Sequence, residues 1–252
     1  MRTQQLRNIT QPLLTWYGHH ARVLPWRENP LPYHVWISEI MLQQTRVEAV
    51  KPYYDRFMRA LPDIFALAAA DSDELLKLWE GLGYYNRVRN LHRAAEIIVR
   101  EFDGAFPQEY GKVLSLPGIG KYTAAAICSI AFGQPYAVVD GNVCRVVARL
   151  TVCEDDIGRE STRNVFREVL ENSLPEKRAG DFNQALMELG ATVCLPNGLP
   201  RCGECPVRGY CVAYEQGNPT AYPVKAPKKE RKTEKRMVFL LFDPKEKRVA
   251  LR

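Results

Sequence analysis

No stretch of this sequence is long and apolar enough to cross a bilayer. The longest nearly apolar run, Tyr122 to Phe132, is far short of the ~20 residues a spanning helix needs. The N-terminus, MRTQQLRNIT, lacks the apolar core of a secretory leader. A soluble, intracellular chain is expected. An even, dispersed set of cysteines is also missing. The seven present include four in one cluster, which argues against a secreted disulfide framework. Internal repeats and low-complexity segments are absent. No strand-like run occurs before Met237, so everything to about residue 214 reads as helical.

What is present is enough to build a core: 252 residues, 46% of them hydrophobic. The net charge of +6 is unevenly placed. Between Lys225 and Arg236 there are seven basic and two acidic residues, so the rest of the chain is nearly neutral. Any nucleic-acid surface in that remainder has to be a local patch.

The stretch Leu114 to Asn142, LSLPGIGKYTAAAICSIAFGQPYAVVDGN, is the most informative. Gly118 and Gly120, two apart, permit turns closed to other residues and a close approach to a ligand. Lys121-Tyr122-Thr123 then opens an alanine-rich helix. Exposed N–H groups and a cation at a helix start suit phosphate. A plain turn is the bland alternative. With helices on both sides, the pattern reads as a helix-hairpin-helix that grips DNA backbone without reading sequence.

Elsewhere the periodicity predicts a first helix with Leu13, Trp16 and Tyr17 on one face. It predicts another from Tyr33 to Thr45, and more at 47–60, 72–80, 87–101, 142–152, 160–173 and 181–193. Asp71 and Glu74 fit a capping box. Gly81 to Asn86 forms a glycine turn carrying Tyr84 and Tyr85. Residues 1–216 read as one unit, 217–236 as a basic linker, and MVFLLF with RVALR as a β-hairpin. One hairpin cannot stand alone, so the chain is expected to stop at the start of a second domain.

Cys194, Cys202, Cys205 and Cys211, with seven, two and five residues between them, suit a metal or a cluster. Paired CxxC knuckles would point to zinc. A single CxxC with uneven gaps favours a 4Fe–4S cluster. Cys128, Cys144 and Cys153 read as ordinary buried thiols. Glu39 is unusual on an apolar-and-amide helix, although a solvated carboxylate is the plain alternative. Asp140 has the position of an N-cap. Together they would supply a protonated acid and an anion, the pair needed to cleave a glycosidic bond through an oxocarbenium-like state.

The segments SEIMLQQTRV, GLGYYNRVRNLH, LPGIGKYTAAAI, VVDGNVCRV and FNQALMELGA, with the four-cysteine loop, resemble the adenine DNA glycosylases of the MutY family. These belong to the helix-hairpin-helix glycosylase superfamily, and the match runs over nearly all of residues 6–214. The resemblance implies an all-α fold of two helical lobes with DNA in the cleft and an iron–sulfur loop in one lobe. It implies a monomeric repair enzyme that removes adenine paired with 8-oxoguanine or guanine in double-stranded DNA, with no membrane association. Such a protein acts at the nucleoid in a bacterial cytoplasm, or in a eukaryotic nucleus or mitochondrion. Glu39 matches the residue that protonates the leaving adenine, and Asp140 the one that stabilises the sugar cation. Tyr122 and Asn142 match supporting residues. Gln44, Thr45 and Tyr84, with Leu42, match residues that enter the duplex around the extruded base. Trp26, Arg27 and Gln184 match the base pocket. The glycosidic bond cannot be reached inside the stack, so extrusion is required.

Two features depart from that pattern. The first cysteine gap has seven residues where the family usually has six. Only the opening hairpin of the family's C-terminal Nudix-like domain is present, so weaker discrimination between 8-oxoguanine and guanine is expected. Three rival readings remain. An endonuclease III-like glycosylase/lyase would carry a lysine at the position of Tyr122. A non-catalytic DNA-binding module with a structural metal would not need Glu39 and Asp140. A small electron carrier would not need the DNA hairpin.

Overall fold

The computed structural model describes residues 3–227, 233–235, 237–238, 240–243, 245 and 248–251. Among these lie fourteen α-helices. In chain order they are α1 (Thr3–Asn8), α2 (Thr10–His20), α3 (Pro25–Glu28), α4 (Pro32–Leu42), α5 (Val47–Ala60), α6 (Ile64–Ala68) and α7 (Ser72–Leu78). There follow α8 (Asn86–Phe102), α9 (Tyr110–Ser115), α10 (Lys121–Ile130), α11 (Gly141–Thr151), α12 (Glu160–Glu171), α13 (Ala179–Thr192) and α14 (Val212–Glu215). No helix among the described residues is long and apolar enough to cross a membrane.

Two hydrophobic cores define two lobes. The first runs from Leu24 to Cys128 and centres on α4, whose Val35, Trp36, Ile37, Ile40 and Met41 are all buried. Pro32 supplies the fixed φ that suits a helix's first turn. The second core joins α1 and α2 to α11, α12 and α13, through Leu13, Val143, Val147, Phe166 and Phe182 among others. The chain therefore begins in one lobe, builds the other, and returns through α10 and the 131–140 connection. In α2 the buried face is Leu13, Leu14 and Tyr17. Trp16 lies at its margin, stacked on His20.

The expected helices are present within a few residues of their expected ends, with one informative exception. The helix through Glu39 stops at Leu42, and Gln44 takes a positive φ of 58°. There Arg87, 47 residues along the chain from Ile40, donates to the Ile40, Met41 and Gln43 carbonyls at 2.7–3.2 Å. Asp71 caps α7 through the Asp73 and Glu74 N–H groups.

Two glycines are required by packing. Gly118 has φ +77°, and a Cβ there would meet the Asn90 Cβ at 2.7 Å. Gly190 lets α13 cross α11, because a Cβ would lie 2.6 Å from the Asn142 Cβ.

The segment expected to begin a linker is partly docked. The Tyr222 carbonyl accepts from Arg149 Nε at 2.9 Å, and the Val224 carbonyl from the Ile157 N–H at 3.2 Å. Farther on, residues 228–232 and 236 of the expected linker lie outside the described residues. Strands β1 (Leu240–Asp243) and β2 (Arg248–Leu251) pair antiparallel, Leu240 opposite Leu251. In that hairpin residues 239, 244, 246, 247 and 252 lie outside the described set.

Candidate active site

A cavity of about 230 Å³ opens where the lobes meet. From the first lobe come Glu39 and Leu42 of α4, Thr45 after it, Trp26 and Arg27 of α3, and Tyr122 of α10. The second lobe contributes Asp140 and Asn142 at the start of α11, and Gln184 of α13. Residues up to 169 positions apart in sequence, from Arg22 to Ala191, thus face one space.

Glu39 is buried, only 7% exposed. It is not the solvated helix carboxylate that its position alone would suggest. Desolvation is the main force on its carboxyl, and its pKa rises from 4.5 to about 7. Tyr122 opposes this by hydrogen bonding, the Asp140 charge adds to it, and Arg27 opposes it. The Tyr122 hydroxyl also lies 3.5 Å from Met187 Sδ, and burial holds its own pKa far up.

Asp140 does cap α11, its Oδ1 accepting from the Val143 N–H at 2.7 Å. Its Oδ2 accepts from Asn142 Nδ2 at 2.8 Å. Burial raises its pKa, while these donors and the Arg145 charge hold it down. Arg145 in turn donates to Asn142 Oδ1 at 2.8 Å, the Gly190 carbonyl at 2.7 Å and the Cys194 carbonyl at 2.7 Å. One helix therefore carries the cavity's anion and ties it to the cysteine loop.

The sequence reading had missed Glu188, which is fully buried in the cavity wall. It accepts from Arg22 Nε at 2.6 Å and Arg27 Nη2 at 2.9 Å, fixing both guanidinium groups. These partners keep its carboxyl below the ordinary range despite its burial. The available signal was its spacing of four from Gln184, which puts both on one face of α13.

The remaining site residues divide between the main cavity and other parts of the surface. Leu42 and Thr45 face the main cavity. Gln44 and Tyr84 line a separate open concavity with Tyr85 and Arg87. Gly118 closes a third hollow against Asn90. Gly120 is the N-cap of α10 with no side-chain cap, and Lys121, exposed, lies 3.9 Å from Glu160.

Cys194, Cys202, Cys205 and Cys211 line one small hollow under Arg149 and Pro219. Arg149 Nη1 donates to Cys194 Sγ at 3.2 Å. Among the described residues, no three His, Cys, Asp or Glu side chains close on a single ion. Burial raises the Cys202, Cys205 and Cys211 thiols above their ordinary range. Cys128, Cys144 and Cys153 are buried and free.

Comparison with known proteins places this geometry. Residues 37–172 match the family described as HhH-GPD superfamily base excision DNA repair protein. An adenine DNA glycosylase of Buchnera aphidicola subsp. Baizongia pistaciae is 42% identical over 205 residues, covering 81% of this chain and 58% of that protein. The human adenine DNA glycosylase is 43% identical over 213 residues, covering 81% of this chain and 39% of that protein. The chain thus spans well under two thirds of these relatives' length. Among solved structures, a thermostable thymine-DNA glycosylase superposes with a TM-score of 0.73 at 30% identity, covering 84% of this chain and 98% of that one. The chain belongs to the HhH-GPD superfamily of base excision DNA repair proteins.

Proposed function

We propose that this chain is an adenine DNA glycosylase that acts on double-stranded DNA containing adenine opposite 8-oxoguanine or guanine. The observation that carries the reading is the pair of carboxyls in one cavity, buried Glu39 with a pKa raised to about 7 and half-buried Asp140 surrounded by donors. At neutral pH a substantial fraction of Glu39 holds a proton. It donates that proton to the leaving adenine as the glycosidic bond breaks. The Asp140 carboxylate, held by Val143 and Asn142, stabilises the positive charge that develops on the sugar. Tyr122 orients Glu39, and Asn142 orients Asp140. Trp26, Arg27 and Gln184 enclose the extruded base, with Arg27 fixed by Glu188.

The rest of the surface is assigned to the duplex. Gly118, Gly120 and Lys121 present the start of α10 to a phosphate. Leu42 and Thr45 close the cavity around the extruded nucleotide, while Gln44 and Tyr84 fill the space it vacates. A tyrosine at position 122, the buried Glu39 and the 42–43% identity to adenine DNA glycosylases favour this reading over a lyase or a non-catalytic module.

Cys194, Cys202, Cys205 and Cys211 would hold a 4Fe–4S cluster. A lone zinc gathers four sulfurs ~2.3 Å from one centre. The four thiols line one shared hollow, and their single CxxC with uneven gaps suits a cluster. Bound there, the cluster would cross-link the loop to α11 through the Arg149 and Arg145 contacts. The catalytic unit is residues 1–216, 217–236 is the connection, and 237–252 opens a Nudix-like domain.

The test is incubation with duplexes carrying A:8-oxoguanine, A:G and A:T pairs, followed by alkali cleavage at abasic sites. Cleavage confined to the first two supports the activity; cleavage of none overturns it. Protein purified without oxygen should carry about four irons and four sulfides per chain. One zinc without sulfide would remove the cluster.

A further inference from the structure

Gln44 and Tyr84 come from distant segments yet line the same open concavity. Both adopt positive φ, 58° and 49°, which is uncommon for residues with a Cβ and costs free energy. Tyr84 is also 65% exposed, so packing of its own ring does not fix it. Something outside each segment has to hold the two turns.

That element is Arg87. Its Nη1 donates to the carbonyls of Ile40 (2.8 Å), Met41 (3.2 Å) and Gln43 (2.7 Å), where α4 ends. Its Nη2 donates to the Leu82 (3.0 Å) and Gly83 (3.3 Å) carbonyls of the tyrosine turn. The guanidinium carbon lies over the Trp79 and Tyr84 rings, 5.4 and 5.6 Å from their centroids. A planar fork of donors can satisfy two converging groups of carbonyls at once; a lysine's single nitrogen cannot. Both terminal nitrogens are already engaged, and the remaining Nε–H, though without a partner, is buried and not presented to a phosphate.

We propose that Arg87 is the positioning residue that presets Gln44 and Tyr84 as one rigid pair facing the duplex. It acts through backbone carbonyls and leaves DNA contact to the two residues it holds. The inference rests on the reading above in which Gln44 and Tyr84 enter the duplex. Without Arg87, α4 would regain freedom at its last turn and the 81–85 turn would detach from it. The pair would then have to order on binding, which weakens binding and slows extrusion.

The test is a mutant cycle of wild type, Arg87→Lys, the double variant Gln44→Ala/Tyr84→Ala, and the triple combination. Each is assayed for binding and single-turnover excision on an A:8-oxoguanine duplex, with thermal melting in parallel. Arg87→Lys should cost about 10- to 100-fold in the wild-type background and less than ~3-fold in the double-variant background, because coupled residues are not additive. The salt dependence of binding should keep its slope. Equal fold losses in both backgrounds would overturn the proposal, as a merely structural role predicts. So would a slope reduced by about one when Arg87→Gln removes the charge, the mark of a lost phosphate contact. If the lysine form melts below the assay temperature, Arg87→Gln takes its place in the same cycle. A wild-type chain that binds the duplex but releases no adenine would overturn the activity instead, and binding data alone would still decide the role of Arg87.

Discussion

Two helices deliver a carboxyl to the same cavity and treat it in opposite ways. On α4, Glu39 sits among Trp36, Ile40 and Met41 in a helix with almost no polar neighbours. At the head of α11, Asp140 meets the Val143 N–H, the Asn142 amide and the Arg145 charge. Glu39 is buried and Asp140 half-buried, and desolvation pushes both upward. Glu39 has one opposing hydrogen bond, from Tyr122, whereas Asp140 has the Val143 N–H, the Asn142 amide and the Arg145 charge, which limit its rise without cancelling it. The same functional group is thereby poised as an acid at one site and as an anion at the other, by surroundings alone. The arginines follow the same division. Arg145 fixes the anion's helix to the cysteine loop, and Glu188 holds Arg22 and Arg27 beside the acid without giving Glu39 a direct ion pair.

This contrast can be broken from either side. Glu39→Gln keeps size and most hydrogen bonding but has no acidic proton. Single-turnover excision should fall by at least ~100-fold, with binding to adenine mispairs within a few-fold of wild type. Wild-type rates would make Glu39 a packing residue.

A second variant, Asp140→Asn, retains an N-cap oxygen but removes the anion. Excision should fall on the order of 10- to 100-fold. The Asp140 charge also raises the Glu39 pKa. The high-pH limb of whatever activity remains should therefore move to lower pH. A limb at an unchanged position would mean that the two carboxyls do not interact.

The contrast also has a stability signature. Glu39 holds its proton more tightly folded than unfolded, so its contribution to stability is full below pH 4.5 and lost as pH rises to about 7. Glu39→Gln lacks this loss. The shift is equivalent to at most about 3 kcal/mol, and relaxation around the ion should reduce the observed gain to about 1–2 kcal/mol. Denaturant melts at pH 8 should show the variant more stable than wild type, with no gain at pH 4. A pH-independent difference would contradict the buried-acid account.

Much of this site was legible along the chain. The Pro-Gly-Ile-Gly turn, the cap at Asp140 and the helix through Glu39 are local patterns, and local patterns survive folding. The partners that tune them are not local. Glu188 reaches Arg22 across 166 residues, and the carbonyls at the end of α4 are met by Arg87. Buried arginines on amphipathic helices read in sequence as solvated charge, so Arg145 and Arg149 gave no warning. Leu42, Gln44 and Thr45 read as one group, yet the positive φ at Gln44 turns it away from its neighbours into a second concavity. The docked start of the 217–236 segment had the composition of a linker. It is held by backbone carbonyls, which composition does not report.

The most direct test of the account is the titration of Glu39 itself. Carboxyl carbon NMR of protein labelled at glutamate, compared with Glu39→Gln to assign the resonance, reads the proton without requiring any DNA. The account predicts a single carboxyl titrating near pH 7, absent from the variant. A Glu39 resonance that titrates near its ordinary value of 4.5 would contradict it.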